Sequence, residues 1–268
     1  MRYIRLAAVV AALTLAPVGA VSMASAGNAT ADHSAAQLGA YRVTMKASTQ
    51  EAIARETKVQ LSGIVRPQPP AGSKVVVQIR YEHRKSWAVA GAAKVRPNGS
   101  YLFVDKPSTS RDRAYRVVKA TDAVATRDVS PVREVHVLAW SWLTQVTPSA
   151  SDNVYPAAEM PINGDTYVQT LFGARTKPAS FIEFTLGRNC QTLETTLGLS
   201  DRTETGGRAT IQIAADGTVL VNRTFDLGQS ETSSFDVTGI YRIRFDMNQV
   251  ATTPVTEPSA GAARVLCD

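Results

Sequence analysis

The chain has 268 residues, with 29 Lys or Arg against 23 Asp or Glu and a formal net charge of +6. That length allows two small domains or one large one. The basic excess is mild and forms no tract, which argues against nucleic acid as the main partner and leaves weak attraction to an anionic wall or glycan open.

The N-terminus reads first. Arg2 and Arg5 form a basic region, and Leu6 to Leu15 is a continuous apolar run. Pro17 and Gly19 break it, and Ala24-Ser25-Ala26 offers small residues at the −3 and −1 sites. This pattern predicts a secretory signal peptide over residues 1–26, cut after Ala26, or after Ala20 as the alternative. A membrane anchor is the competing reading, but the run is short for a bilayer. Cleavage removes Arg2 and Arg5 and leaves 27 basic against 23 acidic residues, a net of +4. No later segment is long and apolar enough to span, so no membrane contact is expected after cleavage. Residues 27–39 are small and polar and are expected to form a flexible mature terminus.

From Tyr41 the pattern has period two. Val59 and Leu61 alternate with Lys58, Gln60 and Ser62; Val75, Val77 and Ile79 alternate within Lys74 to Tyr81. A Pro-rich turn at Pro67–Gly72 separates these two strands, and Pro97-Asn98-Gly99-Ser100 marks another turn. Trp87 to Val95, Tyr101 to Val104, Tyr115 to Lys119 and Arg133 to Val137 complete a set of strands with turns between them, which predicts a β-sandwich over 40–138. The segment resembles the immunoglobulin-like repeats of exported bacterial proteins, on Leu61-Ser62-Gly63-Ile64-Val65, the Pro-Gly turn, Trp87, Asn98–Tyr101 and Tyr115-Arg116-Val117. The resemblance implies a spacer or adaptor role.

A second all-β domain is expected over 139–268, entered at Trp140-Ser141-Trp142-Leu143. The polar stretch Thr147 to Asn153 reads as a loop and permits a hinge. Phe181 to Leu186, Leu193 to Leu199, Ala209 to Ile213, Val219 to Phe225, Ser233 to Val237, Tyr241 to Phe245 and Ala263 to Cys267 read as strands. Asp216-Gly217 is the signature of a two-residue hairpin turn. No window has sustained helical periodicity, so two antiparallel sheets packed face to face are expected.

Both cysteines, Cys190 and Cys267, fall in the last third, 77 positions apart. In an exported chain the simplest reading is one disulfide, stapling the last strand to a sheet edge. A nucleophilic or metal-binding cysteine is the alternative, and no histidine follows His136 to serve it.

Four pieces in order, Ile162–Tyr167, Gly198–Asp201, Ala215–Thr218 and Asp236–Ile240, resemble the NPCBM family, a carbohydrate-binding module with a galactose-binding-like jelly-roll fold. Gly164 with Tyr167, Ser180, Asp216-Gly217 and Val237-Thr238-Gly239 carry the likeness over about Trp140 to Asp268. Two positions depart from it. Arg175 to Ser180 lacks the histidine common before the following strand, and Gly261-Ala262-Ala263 stands where a Trp often occurs. The resemblance implies a non-catalytic glycan binder.

Sugar recognition uses an aromatic face for the ring and planar polar groups for the hydroxyls. Trp142, Tyr155 and Tyr167 are candidates for the face, with packing as the alternative role. Asp201, Arg202 and Glu204 are candidates for hydroxyls or for a structural calcium, with a solvated turn as the alternative. Arg223, Arg242 and Arg244 alternate with core residues and suggest an exposed basic face. No nucleophile elbow, zinc-protease helix, phosphate loop or dinucleotide fingerprint is present. The expectation is therefore an all-β, secreted, extracellular, non-enzymatic protein with no required cofactor. It has an immunoglobulin-like β-sandwich followed by a galactose-binding-like jelly roll, and its partner is a glycan or cell-wall polysaccharide. A cell-surface protein partner is the alternative.

Overall fold

The computed structural model describes residues 38–268. The predicted signal peptide and most of the predicted flexible terminus lie outside the described residues. Within them the chain is all-β, with twenty strands and one short 3₁₀ turn, Leu143–Gln145.

The first ten strands are β1 (Arg42–Val43), β2 (Lys46–Ala47), β3 (Glu51–Ile53), β4 (Val59–Arg66), β5 (Lys74–Tyr81), β6 (Ala88–Lys94), β7 (Ser100–Asp105), β8 (Arg113–Lys119), β9 (Asp128–Val129) and β10 (Arg133–Trp142). The second ten are β11 (Ala150–Asp152), β12 (Val154–Ile162), β13 (Asp165–Gly173), β14 (Ala179–Thr185), β15 (Cys190–Leu199), β16 (Arg208–Ala215), β17 (Thr218–Asp226), β18 (Ser230–Asp236), β19 (Arg242–Gln249) and β20 (Pro258–Cys267).

Period two sorts the side chains. On β5, Val75, Val77 and Ile79 are buried while Val76, Gln78 and Arg80 face outward and are half-exposed. On β16 and β19, Ile211, Ile213, Ile243 and Phe245 are completely buried. Each such side chain contributes about 1.5–3 kcal/mol on leaving water. Two apolar clusters result. One gathers Tyr41, Val59, Leu61, Val75, Tyr101, Tyr115 and Val137 among others. The other gathers Leu143, Phe184, Leu193, Leu197, Ile211, Phe245 and Val265.

The first cluster lies between two sheets. One has β4 paired with β1, β2 and β7; the other runs β10-β8-β5-β6, with β3 on β10 and β9 on β8. The second cluster lies beneath the five-stranded sheet β11-β14-β19-β16-β17. Its other cover is β12-β13-β20, with β15 between β20 and β18.

These are not two separately edged sandwiches. One strand, β10, belongs to both. Arg133–Val135 pairs with β8, His136–Leu138 runs parallel to β3, and Ala139–Trp142 pairs with Cys267–Arg264 of β20. A single eleven-stranded sheet therefore passes through both halves. Flexing at this point would break ladder pairs, and each buried orphan group would cost about 1–3 kcal/mol.

Three expectations are corrected here. The polar stretch 147–153 is not a hinge. Ala150–Asp152 forms β11 and pairs with Glu183–Phe181, and the Ser149 N–H donates to the Glu183 carbonyl at 2.8 Å. The last strand is not stapled at an edge, because β20 is hydrogen-bonded on both sides, to β15 and to β10 and β13. The region around Gly164 is more than a turn, since β12 and β13 form a nine-residue hairpin pair on either side of it. Its turn residues, Asn163 and Gly164, have φ of 52° and 84°, the left-handed pair of a type I′ turn. Asp216 and Gly217 repeat that geometry at 46° and 83°.

The disulfide forms between Cys190 and Cys267, which sit directly opposite each other on β15 and β20.

Candidate functional site

One end of the second sandwich gathers four loops. The β12–β13 turn meets the segment after β15, where the Gly164 N–H donates to Asp201 Oδ2 at 3.0 Å and the Asp201 N–H to the Pro161 carbonyl at 3.0 Å. The Arg175 guanidinium, from the loop after β13, donates to the Arg202 carbonyl at 3.0 Å. Gln249 Nε2 bonds the carbonyls of Ala174 and Arg175 at 3.0 and 3.1 Å. The Glu204 N–H donates to the Val255 carbonyl, and Glu204 Oε2 accepts the Val255 N–H, both at 2.9 Å.

Asp201 and Glu204 thus each use one carboxylate oxygen to hold a neighbouring loop. The Asp201, Arg202 and Glu204 side chains remain exposed. Backbone bonding fixes where they stand, which is the preorganisation a sugar site needs.

Two buried polar atoms at this end have no hydrogen-bond partner, Ser180 Oγ and Glu257 Oε2. Ser180 is 3% exposed and Glu257 2%. The Glu257 main chain is fully engaged, its N–H bonding Thr203 Oγ1 at 3.1 Å and its carbonyl accepting the Ser200 N–H at 2.9 Å. Its carboxylate is the exception. A buried polar atom left without a hydrogen bond costs about 1–3 kcal/mol. Such a group suits an incoming donor or a hard cation. Sequence reasoning passed over Glu257 because a lone Glu between Thr256 and Pro258 carries no motif, and only burial distinguishes it.

The candidate aromatics do not converge on this end. Tyr167 is half-buried and covers β20 at a point where only glycine fits, since a Cβ on Gly261 would lie 2.8 Å from Tyr167 Cβ and Cγ. Tyr155 is 51% exposed and packs on its register partner Phe172, with ring centroids 5.9 Å apart. Its strand starts beside Gly173, which leads into the Arg175 loop. Trp142 stands opposite Arg264 on β10 and β20. Arg264 lies 4.1 Å from the Trp140 ring centroid and 5.8 Å from that of Trp142, held by Glu194 at 2.6 Å. Arg264 lies six positions along β20 from Pro258 at the loop end, roughly 15–20 Å along the strand. Trp142 therefore belongs to a separate stack on the sheet face, together with Trp140, which the sequence reading had not placed in any site.

The expected basic face is neutralised. Arg244 pairs with Asp246 at 2.8 Å and stacks on Phe181, Arg242 approaches Glu183 at 3.5 Å, and Arg223 approaches Glu231 at 3.5 Å. A groove of about 270 Å³ between Glu183, Asp216, Arg242 and Arg244 lies there. Asp216 is occupied with its own turn, and the N–H groups of Tyr241 and Arg242 that it accepts hold its carboxyl below the usual range.

At the seam, His136 lies between Asp112 (Nδ1 to Oδ1, 2.9 Å) and Asp268 (Nε2 to Oδ1, 3.3 Å). The Asp112 hydrogen bond, outweighing partial burial and aided by the charges of Asp268 and Glu51, raises its pKa. A groove of about 810 Å³ beside it is lined by Lys46, Asp112, Arg133, Glu134 and His136. Among the described residues no cluster of three or more His, Cys, Asp or Glu side chains is arranged to hold a metal, and no helix is long and apolar enough to cross a membrane.

Residues 133–255 match the family described as NPCBM/NEW2 domain. No curated protein matches the chain. Among solved structures, the chain is similar to the CBM51 from Clostridium perfringens GH95 in complex with methyl-galactose, with a TM-score of 0.42 at 12% identity, over 47% of this chain and 99% of that one. It is similar to the CBM51-2 and INT domains of Clostridium perfringens ZmpB in complex with GlcNAc, at 0.40 and 11%, over 84% of this chain and 48% of that one. The M60 catalytic domain of ZmpB with its CBM51-1 and CBM51-2 domains matches at 0.42 and 10%, over 85% of this chain and 31% of that one. The chain thus spans about half or less of the two ZmpB structures. Likeness at this level fixes neither a ligand nor a site.

Proposed function

We propose that the protein is a secreted, non-catalytic glycan-binding protein that acts at the cell wall or on extracellular polysaccharide. It would hold its ligand at the loop end formed by Asp201, Arg202, Glu204 and Arg175. The observation that carries this reading is the pair of buried, unpartnered polar atoms, Ser180 Oγ and Glu257 Oε2, at that same end. The NPCBM/NEW2 match over 133–255 supports the class of ligand. The disulfide, together with the signal-like N-terminus, supports export to an oxidising compartment. In this reading the immunoglobulin-like half presents the binding half from a surface, and the shared strand β10 makes the presentation rigid.

A structural calcium, if held, would take Glu257 as its anchor rather than the three residues named from sequence. Asp201 and Glu204 each have one oxygen committed to a backbone N–H, whereas Glu257 Oε2 is free. Oxygen donors of this kind suit calcium.

The test is a glycan array probed with the mature chain, followed by pull-down on insoluble polysaccharides with free-sugar competition. Saturable, competable capture supports the proposal. Absence of binding to every glycan, with capture of a defined protein instead, would replace it with a protein-interaction role.

A further inference from the structure

The outer face of the first sandwich carries a cluster that the reading above does not use. Trp87 lies under two guanidinium groups, with Arg116 Cζ 4.2 Å and Arg80 Cζ 5.0 Å from its ring centroid. The two arginines come from neighbouring strands. Gln78 of β5 faces Arg116 of β8, and Arg80 faces Ala114, so Arg80 and Arg116 are diagonal neighbours, about 7–8 Å apart at Cα. Arg116 Nε donates to Gln78 Oε1 at 2.7 Å, which fixes the plane of its fork.

Two guanidinium groups on one indole set this cluster apart, and among the described residues it also lacks an acidic partner, as do exposed arginines elsewhere such as Arg175, Arg188 and Arg202. Arg113, Arg208, Arg223, Arg242, Arg244 and Arg264 each have an acidic partner. Among the described residues, Arg80, Arg116 and Arg127 have none. Arg127 precedes Asp128, the register partner of Lys119 on β8, which brings it to the neighbouring strand β9. Burial, then the fields of Arg127 and Arg80, hold the Arg116 pKa below its ordinary value. Like charges on adjacent strands destabilise a sheet. Stacking on Trp87 holds two of them in place in spite of that.

We infer that this face, built on Arg80, Arg116, Arg127 and Trp87, is a second binding site, and that its ligand is a carboxylate-bearing polysaccharide. Charge complementarity sets the sign of the ligand. The guanidinium fork matches a carboxylate bidentately, and orientation by Trp87 and Gln78 presets that fork. The surface is an open pleated sheet with Val89, 68% exposed, standing opposite Gln78 in the same row. An extended sugar chain can lie along such a face, with apolar ring patches on Val89 and acidic groups on the arginines. Because β10 joins the two halves in one sheet, this site and the loop-end site are held at a fixed separation. The chain can therefore engage an acidic polymer and a second glycan at once, at an effective concentration set by that separation.

The experiment is retention of the mature chain on beads of cross-linked polygalacturonate and on the same polymer fully methyl-esterified, which keeps the backbone and removes the charge. The expected result is retention on the acid form alone, weakening as salt is raised. Arg116→Gln is expected to weaken binding at least about tenfold, as the loss of a charge-assisted hydrogen bond would. Arg127→Gln changes only an exposed side chain and tests the site without risk to the fold. Arg116→Lys keeps the charge but loses the fork, and is expected to bind between the two. The proposal is overturned if neither polymer retains the chain, if both retain it equally, if the variants bind like wild type, or if an inorganic polyphosphate of equal charge competes better than the polyuronate. Binding of a neutral glycan at the loop end is a separate readout of the same preparation, so either reading can fail alone.

Discussion

Breaking the Cys190–Cys267 bond tests how far the second sandwich depends on its central strand. The cysteines are 77 positions apart. The chain-entropy relation for a loop of that length gives about 4.5 kcal/mol at 25 °C, an upper figure because residual structure in the unfolded chain lowers the entropy the bond removes. For a unit of this size about 1 kcal/mol corresponds to roughly 2–4 °C, so the double variant Cys190→Ser/Cys267→Ser should melt about 9–18 °C lower if unfolding is two-state. The structure adds a consequence that loop length does not contain. Cys267 pairs with Ala139 of β10 as well as with Cys190. Loosening the end of β20 therefore weakens the strand that both halves share, and the first sandwich should lose stability with the second. Urea unfolding of residues 27–268, with and without reductant, measures both effects. Far-UV circular dichroism follows the sheets, and the fluorescence of Trp87 in a Trp140→Phe/Trp142→Phe background follows the first half. A shift below about 1 kcal/mol, or a first half that unfolds at an unchanged midpoint, would refute the reasoning.

Three further outcomes are expected. His136 has a raised pKa in the folded chain, so its stabilising contribution is fully present below its unfolded value of 6.5 and is lost as pH rises through the folded pKa. Its side chain is 36% exposed, and screening limits the effect to at most about 1 kcal/mol. Urea midpoints from pH 5 to 9 should show that slope in wild type and not in His136→Asn. Gly261→Ala should cost about 1–3 kcal/mol through overpacking against Tyr167, and Tyr167→Gly, which removes both Cβ and Cγ, should relieve part of it, giving a non-additive double-mutant cycle. An additive cycle would mean the two residues do not touch. Without calcium, Glu257→Gln should change stability by no more than about 1 kcal/mol, because Oε2 has no hydrogen bond to lose. If the chain holds calcium through Glu257, added calcium should raise the melting temperature of wild type and not of Glu257→Gln, and an equal rise in both proteins would remove Glu257 as the anchor.

Alternation and turn chemistry made most of this architecture readable in advance. Val75, Val77 and Ile79 declared β5, and Asp216-Gly217 marked its hairpin to the residue, because each signal is local. What was not readable depends on partners distant in sequence. The β12–β13 hairpin was missed because Tyr155-Pro156-Ala157-Ala158-Glu159 does not alternate, and its pairing is secured by register with Phe172 and Leu171. The placement of β20 at the centre of the sheet follows from long-range pairing with β10 that no local pattern encodes. At the loop end, Asp201, Arg202 and Glu204 were recognisable as a polar turn. Glu257 was not, since its significance lies in burial. The arginines on β17 and β19 were overvalued because Glu231, which approaches Arg223, comes from β18 of the other sheet, and Glu183, which approaches Arg242, comes from the diagonal position on β14. Asp246, two residues beyond Arg244 on the same strand, was the one local partner.

The most direct test of the account is the affinity of the mature chain for its best glycan-array ligand, compared between wild type, Arg202→Ala and Tyr155→Ala. Both side chains are exposed, and Arg202 contacts Arg175 through its main-chain carbonyl, so both variants should fold. The account expects Arg202→Ala to bind at least about tenfold more weakly, as the loss of a charged hydrogen bond would. Tyr155→Ala, whose ring packs on Phe172 and not into the loop-end site, should bind like wild type, and the melting temperature of Arg202→Ala should stay unchanged. Equal affinity in all three proteins, or no glycan bound by wild type, would contradict it.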